Sequence, residues 1–236
     1  MTLFHATTFD YTIKPLSFTN LPDIMLLQQH ILEALPPAHK NFILPKTPAQ
    51  FVVRMHNKGQ MLGAFVGHKL IAYGGVAYAE PSWPTADMVL NPEALPCAPE
   101  ELAIIQSSAV HPFFRKQGVH HQLLLAREEL CLNHAKTHLM AEVAANNVSS
   151  LKSMMATNFI VDQAGIDQKD QCPLLFLHKE LNGAAAPLAA HPSLSISLKG
   201  AHAKLMALLS SGYKGKSLLF FPNTASPALQ LHTLAL

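Results

Sequence analysis

Residues 109–120 read Ala109-Val110-His111-Pro112-Phe113-Phe114-Arg115-Lys116-Gln117-Gly118-Val119-His120. The apolar run over Leu102–Val110 enters this stretch with the length and bounds of a buried strand. Pro112 then opens a turn, and from Gly118 an amphipathic pattern runs to Lys136, with Val119, Leu123, Ala126 and Leu130 on one face. A strand, a turn and a helix in this order aim free backbone N–H groups and the positive end of a helix at one spot. Such a spot binds phosphate, and Arg115 and Lys116 add charge to it. Gly118 leaves the backbone bare where a ligand approaches. Taken alone, the segment fits a plain strand–turn–helix without a ligand equally well.

Outward from this stretch, the periodicities predict an alternation of strands and helices. On the N-terminal side they give a strand over 9–15 and a helix over 20–35 that Pro36-Pro37 stops. A short helix over 51–56 follows a connector over 36–50. A β-hairpin over 61–78 turns at Gly67-His68-Lys69. Residues 79–100, with five prolines and the single tryptophan, Trp83, read as a long irregular loop. On the C-terminal side come a strand over 139–143, a helix over 149–157 and a strand over 173–181. Residues 183–192 are Ala- and Pro-rich and read as a linker. Beyond them lie a strand over 194–198, a helix over 201–210 closed by Gly212, and two strands over 217–221 and 229–234.

The composition bounds what the chain can be. Its 236 residues are 49% apolar and 14% charged, enough to bury a proper core. A formal charge of +2 carries no basic excess, so a nucleic-acid partner is not expected. Three scattered cysteines, Cys97, Cys131 and Cys172, fit a reducing compartment rather than a disulfide framework. Neither a signal peptide nor an apolar run of spanning length is present, so the expectation is a cytoplasmic protein without a membrane partner. The 14 histidines include no metal-binding motif. His120 and His121 diverge by about 100° on a helix, and no metal is expected.

Two blocks together resemble the GNAT superfamily of acetyl-CoA-dependent N-acetyltransferases. The first is the quoted stretch: an Ala-Val-x-Pro strand end, then Arg115, two residues, and Gly118. His120 stands where the family has a second small residue. The second block is Ala141-Glu142-Val143, then Asn147, Ser150 and Asn158-Phe159, with Ser150 in place of the usual Ala and Asn158 in place of a Gly. Asn is the commonest non-Gly residue at positive φ, so this exchange is tolerable. The element order over 9–181 matches as well.

The resemblance implies an α/β (α+β) fold, a mixed and mostly antiparallel sheet flanked by helices. The change of composition after Asn182 and the apolar pattern beyond it give a domain over 1–182, with 183–236 as linker plus an extension expected to pack on the main body or on a partner, a homodimer contact among the options. The resemblance also implies acetyl-CoA as co-substrate, its pyrophosphate on the amides of Gln117, Gly118, Val119 and His120 beside Arg115 and Lys116. The thioester carbonyl would lie at the strand end, Ala109 and Val110, where the Val110 N–H polarises it. Asn147 and Ser150 would follow the pantetheine arm. Glu142 is the candidate base, with Glu101 second and a water held by Gln106, Ser107 or Ser108 as a further route. The family's tyrosine acid is replaced by Met154, which has no proton to give. The expected reaction is attack of a small-molecule or peptide amine on the thioester. The competing expectation, from His120, Met154 and Asn158, is a degenerate member that binds CoA or another ligand without turnover.

Overall fold

The structure is a computed structural model and describes residues 9–56, 59–79, 95, 97–168, 170–183, 194–220 and 226–233. Ten strands form one sheet in the order β1-β2-β3-β4-β5-β7-β6-β9-β10-β8. In chain order they are β1 (Thr12–Pro15), β2 (Gly59–Val66), β3 (Lys69–Tyr78), β4 (Leu102–Val110), β5 (His138–Ala144), β6 (Ile160–Ile166), β7 (Pro173–Glu180), β8 (Leu194–Ser197), β9 (Lys214–Leu219) and β10 (Ala228–His232). Every registered pairing is antiparallel except β4 with β5. The mixed, mostly antiparallel sheet is the fold class expected from the sequence.

Five helices cover the sheet: α1 (Leu21–Glu33), α2 (Pro48–His56), α3 (Val119–Asn133), α4 (Val148–Met155) and α5 (His202–Ser210). On one face Ile24, Leu27 and Ile31 of α1 and Phe51 of α2 bury against Met61, Phe65 and Tyr73. On the other face Val119 and Leu123 of α3 meet Leu62, Ala64 and Ile71. The same side carries α4 and α5, whose Leu151, Met154, Leu205 and Leu209 share a core with Ala141, Val143 and Val161. The β2–β3 hairpin turns at Gly67, whose φ of 57° is the left-handed angle a tight turn needs. Among the described residues no helix is long and apolar enough to cross a membrane.

Three expectations are corrected. The first strand begins at Thr12 rather than at residue 9, and the strand expected over 217–221 begins at Lys214. Residues 160–166, to which no strand was assigned, form β6. This strand joins β7 on one side and β9 on the other, where Val161 pairs with Gly215. The loop expected over 79–100 and the linker over 183–192 lie mostly outside the described residues.

Candidate functional site

β4 and β5 are paired in parallel only from Leu102↔His138 to Ile105↔Ala141, and then they separate. A bulge in β4 marks the point of separation. Gly75 faces Gln106 and Tyr73 faces Ala109, so Ser107 and Ser108 together oppose Gly74. Ser107 takes a φ of 52°. Behind the bulge the wholly buried Arg127 of α3 donates from Nη1 to Ser108 Oγ at 2.8 Å and to Gly75 O at 3.4 Å. Its Nε donates to Leu123 O at 3.0 Å. A Cβ on Gly74 would stand 2.9 Å from the guanidinium carbon, so any side chain there would have to displace Arg127. Burial lowers Arg127 to about 10, which still leaves it charged at neutral pH.

The separated strands open a cleft of about 1480 Å³. Val110 is among the residues that line it. The His111 N–H donates to Ile71 O of β3 at 2.9 Å. Polar groups alternate sides along a strand, so those of Val110 face away from β3 and toward the gap. The Arg115 Nε confirms the direction by donating to Val110 O at 3.2 Å.

One end of the cleft is the turn into α3. His111 Nδ1 accepts from the Phe113 N–H at 3.2 Å and caps a short 3-10 turn over Pro112–Phe114. Lys116 and Gly118 then take φ of 62° and 77°. No heavy atom lies within 4 Å of a Cβ built on Gly118, so the backbone angle alone calls for glycine. The first helical bond runs from the Gln122 N–H to Gly118 O, which leaves the amides of 119–121 without an intrahelical acceptor. Arg115, Lys116, Gly118, Val119 and His120 line this end. Gln117 does not: its Nε2 turns back to Phe113 O at 3.2 Å.

The His120 ring turns toward α4, with Nδ1 2.8 Å from Ser153 Oγ. Burial first, then the charges of Arg127 and His121, lower its pKa to about 3, so the imidazole is neutral at physiological pH. Asn147 caps α4, its Oδ1 accepting from the Ser150 N–H at 3.3 Å, and both residues line the cleft. Asn158 has a φ of 67°, the left-handed angle anticipated for it. Met154 is buried in the apolar core beneath α4, and part of it reaches the cleft wall.

Glu142 also lines the cleft; it is the one exposed residue of β5, on the strand face it shares with Met140 and Ala144. Although the carboxylate remains open to solvent, the cleft walls crowd it. Desolvation first, then the charges of Asp167 and Asp170, raise its pKa. Glu101 precedes β4 at the far end of the strand and does not line the cleft. Gln106, Ser107 and Ser108 do line it.

The connector contributes Pro36, His39, Phe42 and Lys46 to the cleft, and no described residue of 183–236 lines it. The β6–β7 turn supplies Asp167, Asp170 and Cys172 instead, and Gln28, Arg54 and Tyr73 complete the wall. Among the described residues no group of His, Cys, Asp or Glu side chains is placed to hold a metal ion.

The sheet thus opens between two parallel strands, and a basic helix N-terminus and a carboxylate both line the gap. Residues 29–154, more than half of the chain, match the family described as the acetyltransferase (GNAT) family, and the chain belongs to it. Solved structures agree in fold. An N-acetyltransferase from Staphylococcus aureus Mu50 is 18% identical, covering 73% of this chain and 99% of its own, with a TM-score of 0.54. A putative acetyltransferase from Salmonella typhimurium, solved with its cofactor acetyl-CoA, is 16% identical and covers 77% of this chain and 99% of its own, with a TM-score of 0.55. The ribosomal-protein-S18-alanine N-acetyltransferase from Escherichia coli is also 16% identical, covering 76% and 99%, with a TM-score of 0.52. No curated protein matches the sequence.

Proposed function

We propose that the protein transfers an acetyl group from acetyl-CoA to a primary amine of a small molecule or peptide. The observation that carries this reading is the gap between β4 and β5, with the Val110 amide facing it and Glu142 standing in the same cleft. The residues present fit acetyl-CoA. The amides of 119–121 and the charges of Arg115 and Lys116 suit its phosphates, and Gly118 keeps that surface clear. Asn147 and Ser150 lie where the cleft continues along α4. Acetyl-CoA supplies an activated acyl group on a thiol that leaves readily.

Val110 N–H holds the acyl oxygen as charge grows on it. Glu142 takes the proton from the incoming ammonium, directly or through a water. Its raised pKa brings it closer to neutrality, where a base works best. Asp167 and Asp170, facing the same space, favour a cationic acceptor. Met154 offers no acid, so the thiolate leaves unassisted or takes a proton from water. Residues 1–182 form the acetyltransferase domain in this proposal and 183–236 an extension of it. A cytoplasmic location belongs to the same reading.

The test pairs acetyl-CoA binding by calorimetry with CoA release over a broad amine panel. Binding with turnover that Glu142→Gln lowers by roughly 10²-fold supports the proposal. Binding without any turnover favours the degenerate member, for which Met154 at the acid position speaks. Full activity in Glu142→Gln passes base duty to a water held by Gln106 to Ser108.

A further inference from the structure

The acceptor end of the cleft carries charge of both signs. The cleft that Glu142, Asp167 and Asp170 line is also lined by Lys46 of the connector and Arg54 of α2. Lys46 is fixed by its backbone. The buried Gln28 of α1 donates from Nε2 to Lys46 O at 2.8 Å and accepts from the Lys46 N–H at 2.9 Å. This two-point clasp is a built feature, since one amide side chain satisfies both backbone groups of one connector residue. Arg54 is half-buried, and its Nε is out of solvent with no partner among the described residues.

Two cations this close repel one another. Burial, then the charge of Arg54, lowers the pKa of Lys46, and burial lowers that of Arg54. The ion pairs among the described residues are Lys179 with Glu128 and Lys214 with Asp162, so neither cation of this wall is matched by a described carboxylate. A half-buried guanidinium with an unmet N–H is costly to keep unless an anion satisfies it. The fork of Arg54 suits a planar carboxylate, and Lys46 adds a point charge.

We propose that the acceptor amine also carries a carboxylate, which Lys46 and Arg54 hold while the amine faces Glu142. This rests on the acetyl-transfer proposal and narrows its substrate to amino acids and amino-acid-like amines. The two walls orient such a molecule end to end, so one functional group anchors while the other reacts.

The experiment uses the full chain. Acetyl-CoA binding is measured first by calorimetry. CoA release is then measured with the common amino acids and a series of ω-amino acids, each beside its own amide. The ω-series keeps the amine nearly unchanged in basicity while the charge at the other end is removed. The expected result is at least one acid used roughly 10-fold or more better than its amide, the size of one lost charge-assisted contact. That preference should collapse in Arg54→Gln and Lys46→Met through KM for the acceptor, return in part in Arg54→Lys, and leave acetyl-CoA affinity unchanged. Acids and amides used equally, or no acid used although acetyl-CoA binds, overturns the inference and leaves the acetyl-CoA site standing. Loss of acetyl-CoA affinity in both variants also overturns it, because the two cations would then serve a CoA phosphate. Failure of acetyl-CoA to bind the unaltered chain sinks the acetyl-transfer proposal itself.

Discussion

His120 Nδ1 and Ser153 Oγ lie 2.8 Å apart and tie the first turn of α3 to α4. The pair bridges two helices that both line the cleft, and its histidine is held neutral. In the unfolded chain a histidine titrates near 6.5, whereas His120 in the fold is lowered to about 3. Between those values the unfolded state holds more protons, so stability rises with pH there. The contribution is complete above about 6.5 and is lost as pH falls toward 3. His178, lowered to about 4 chiefly by burial, adds in the same direction. Melting temperature should therefore drop as pH falls from 6.5, and less steeply in His120→Asn. Equal slopes in the two proteins would remove His120 from this account.

Gly118 makes a cleaner probe of the anion site than a charged residue. Its φ of 77° strains any side chain, but nothing in the fold occupies the space a Cβ would take. Gly118→Val should cost about 1–2 kcal/mol in urea denaturation, the scale of left-handed strain. The same variant should abolish the rise in melting temperature that acetyl-CoA confers. An undiminished rise would place the phosphates elsewhere.

Gly74 and Arg127 should behave as one unit. A methyl group at 74 would press on the guanidinium, which reaches Ser108, Gly75 and Leu123. Arg127→Met strands those acceptors and should destabilise by about 2–4 kcal/mol. Gly74→Ala should also destabilise, and the double variant should cost clearly less than the sum, by about 1 kcal/mol or more. Additive costs would mean that the two sites are independent. If the bulge sets the direction of the Val110 amide, both single variants also lower kcat more than they raise KM for acetyl-CoA.

The seam between β6 and β9 is closed at Gly215. A Cβ there would stand 2.7 Å from Leu229 Cδ2 and 2.9 Å from Val161 Cβ. Gly215→Val should destabilise by about 1–3 kcal/mol, the range for overpacking. Removing residues 183–236 uncovers Val161 and the core that Leu205, Leu209 and Leu229 share with it. Light scattering should show aggregation of that truncated chain, and a soluble monomer of full stability would refute the proposed docking of the extension.

The turn into α3, where the proposal puts acetyl-CoA, was readable as a local structure because it is continuous in sequence. Arg115, Gly118 and the first turn of α3 fall within a dozen residues, and their backbone angles follow from local chemistry. The acceptor wall was not readable, since Gln28, Lys46, Arg54 and Asp170 come from four separate segments that the fold brings together. β6 was missed for a related reason. Asp162, Gln163 and Gly165 interrupt its apolar pattern, and two of these are answered from the far end of the chain. Lys214 pairs with Asp162, and the ring of His202 meets Gly165 O at 2.7 Å. A polar strand residue reads as a loop until its distant partner is known.

The order of strands across the sheet also fixes an order of assembly. β6 lies between β7 and β9, both of which follow it in sequence. Residues 160–166 are therefore synthesised before either neighbour that will hold them. Once β7 arrives, the other side of β6, which β9 meets at Val161↔Gly215, stays uncovered until 214–219 emerge. During that interval it is a template for any extended chain nearby. A nascent chain that has released 160–181 but not yet 214–219 would thus carry an open sheet edge for a chaperone to cover.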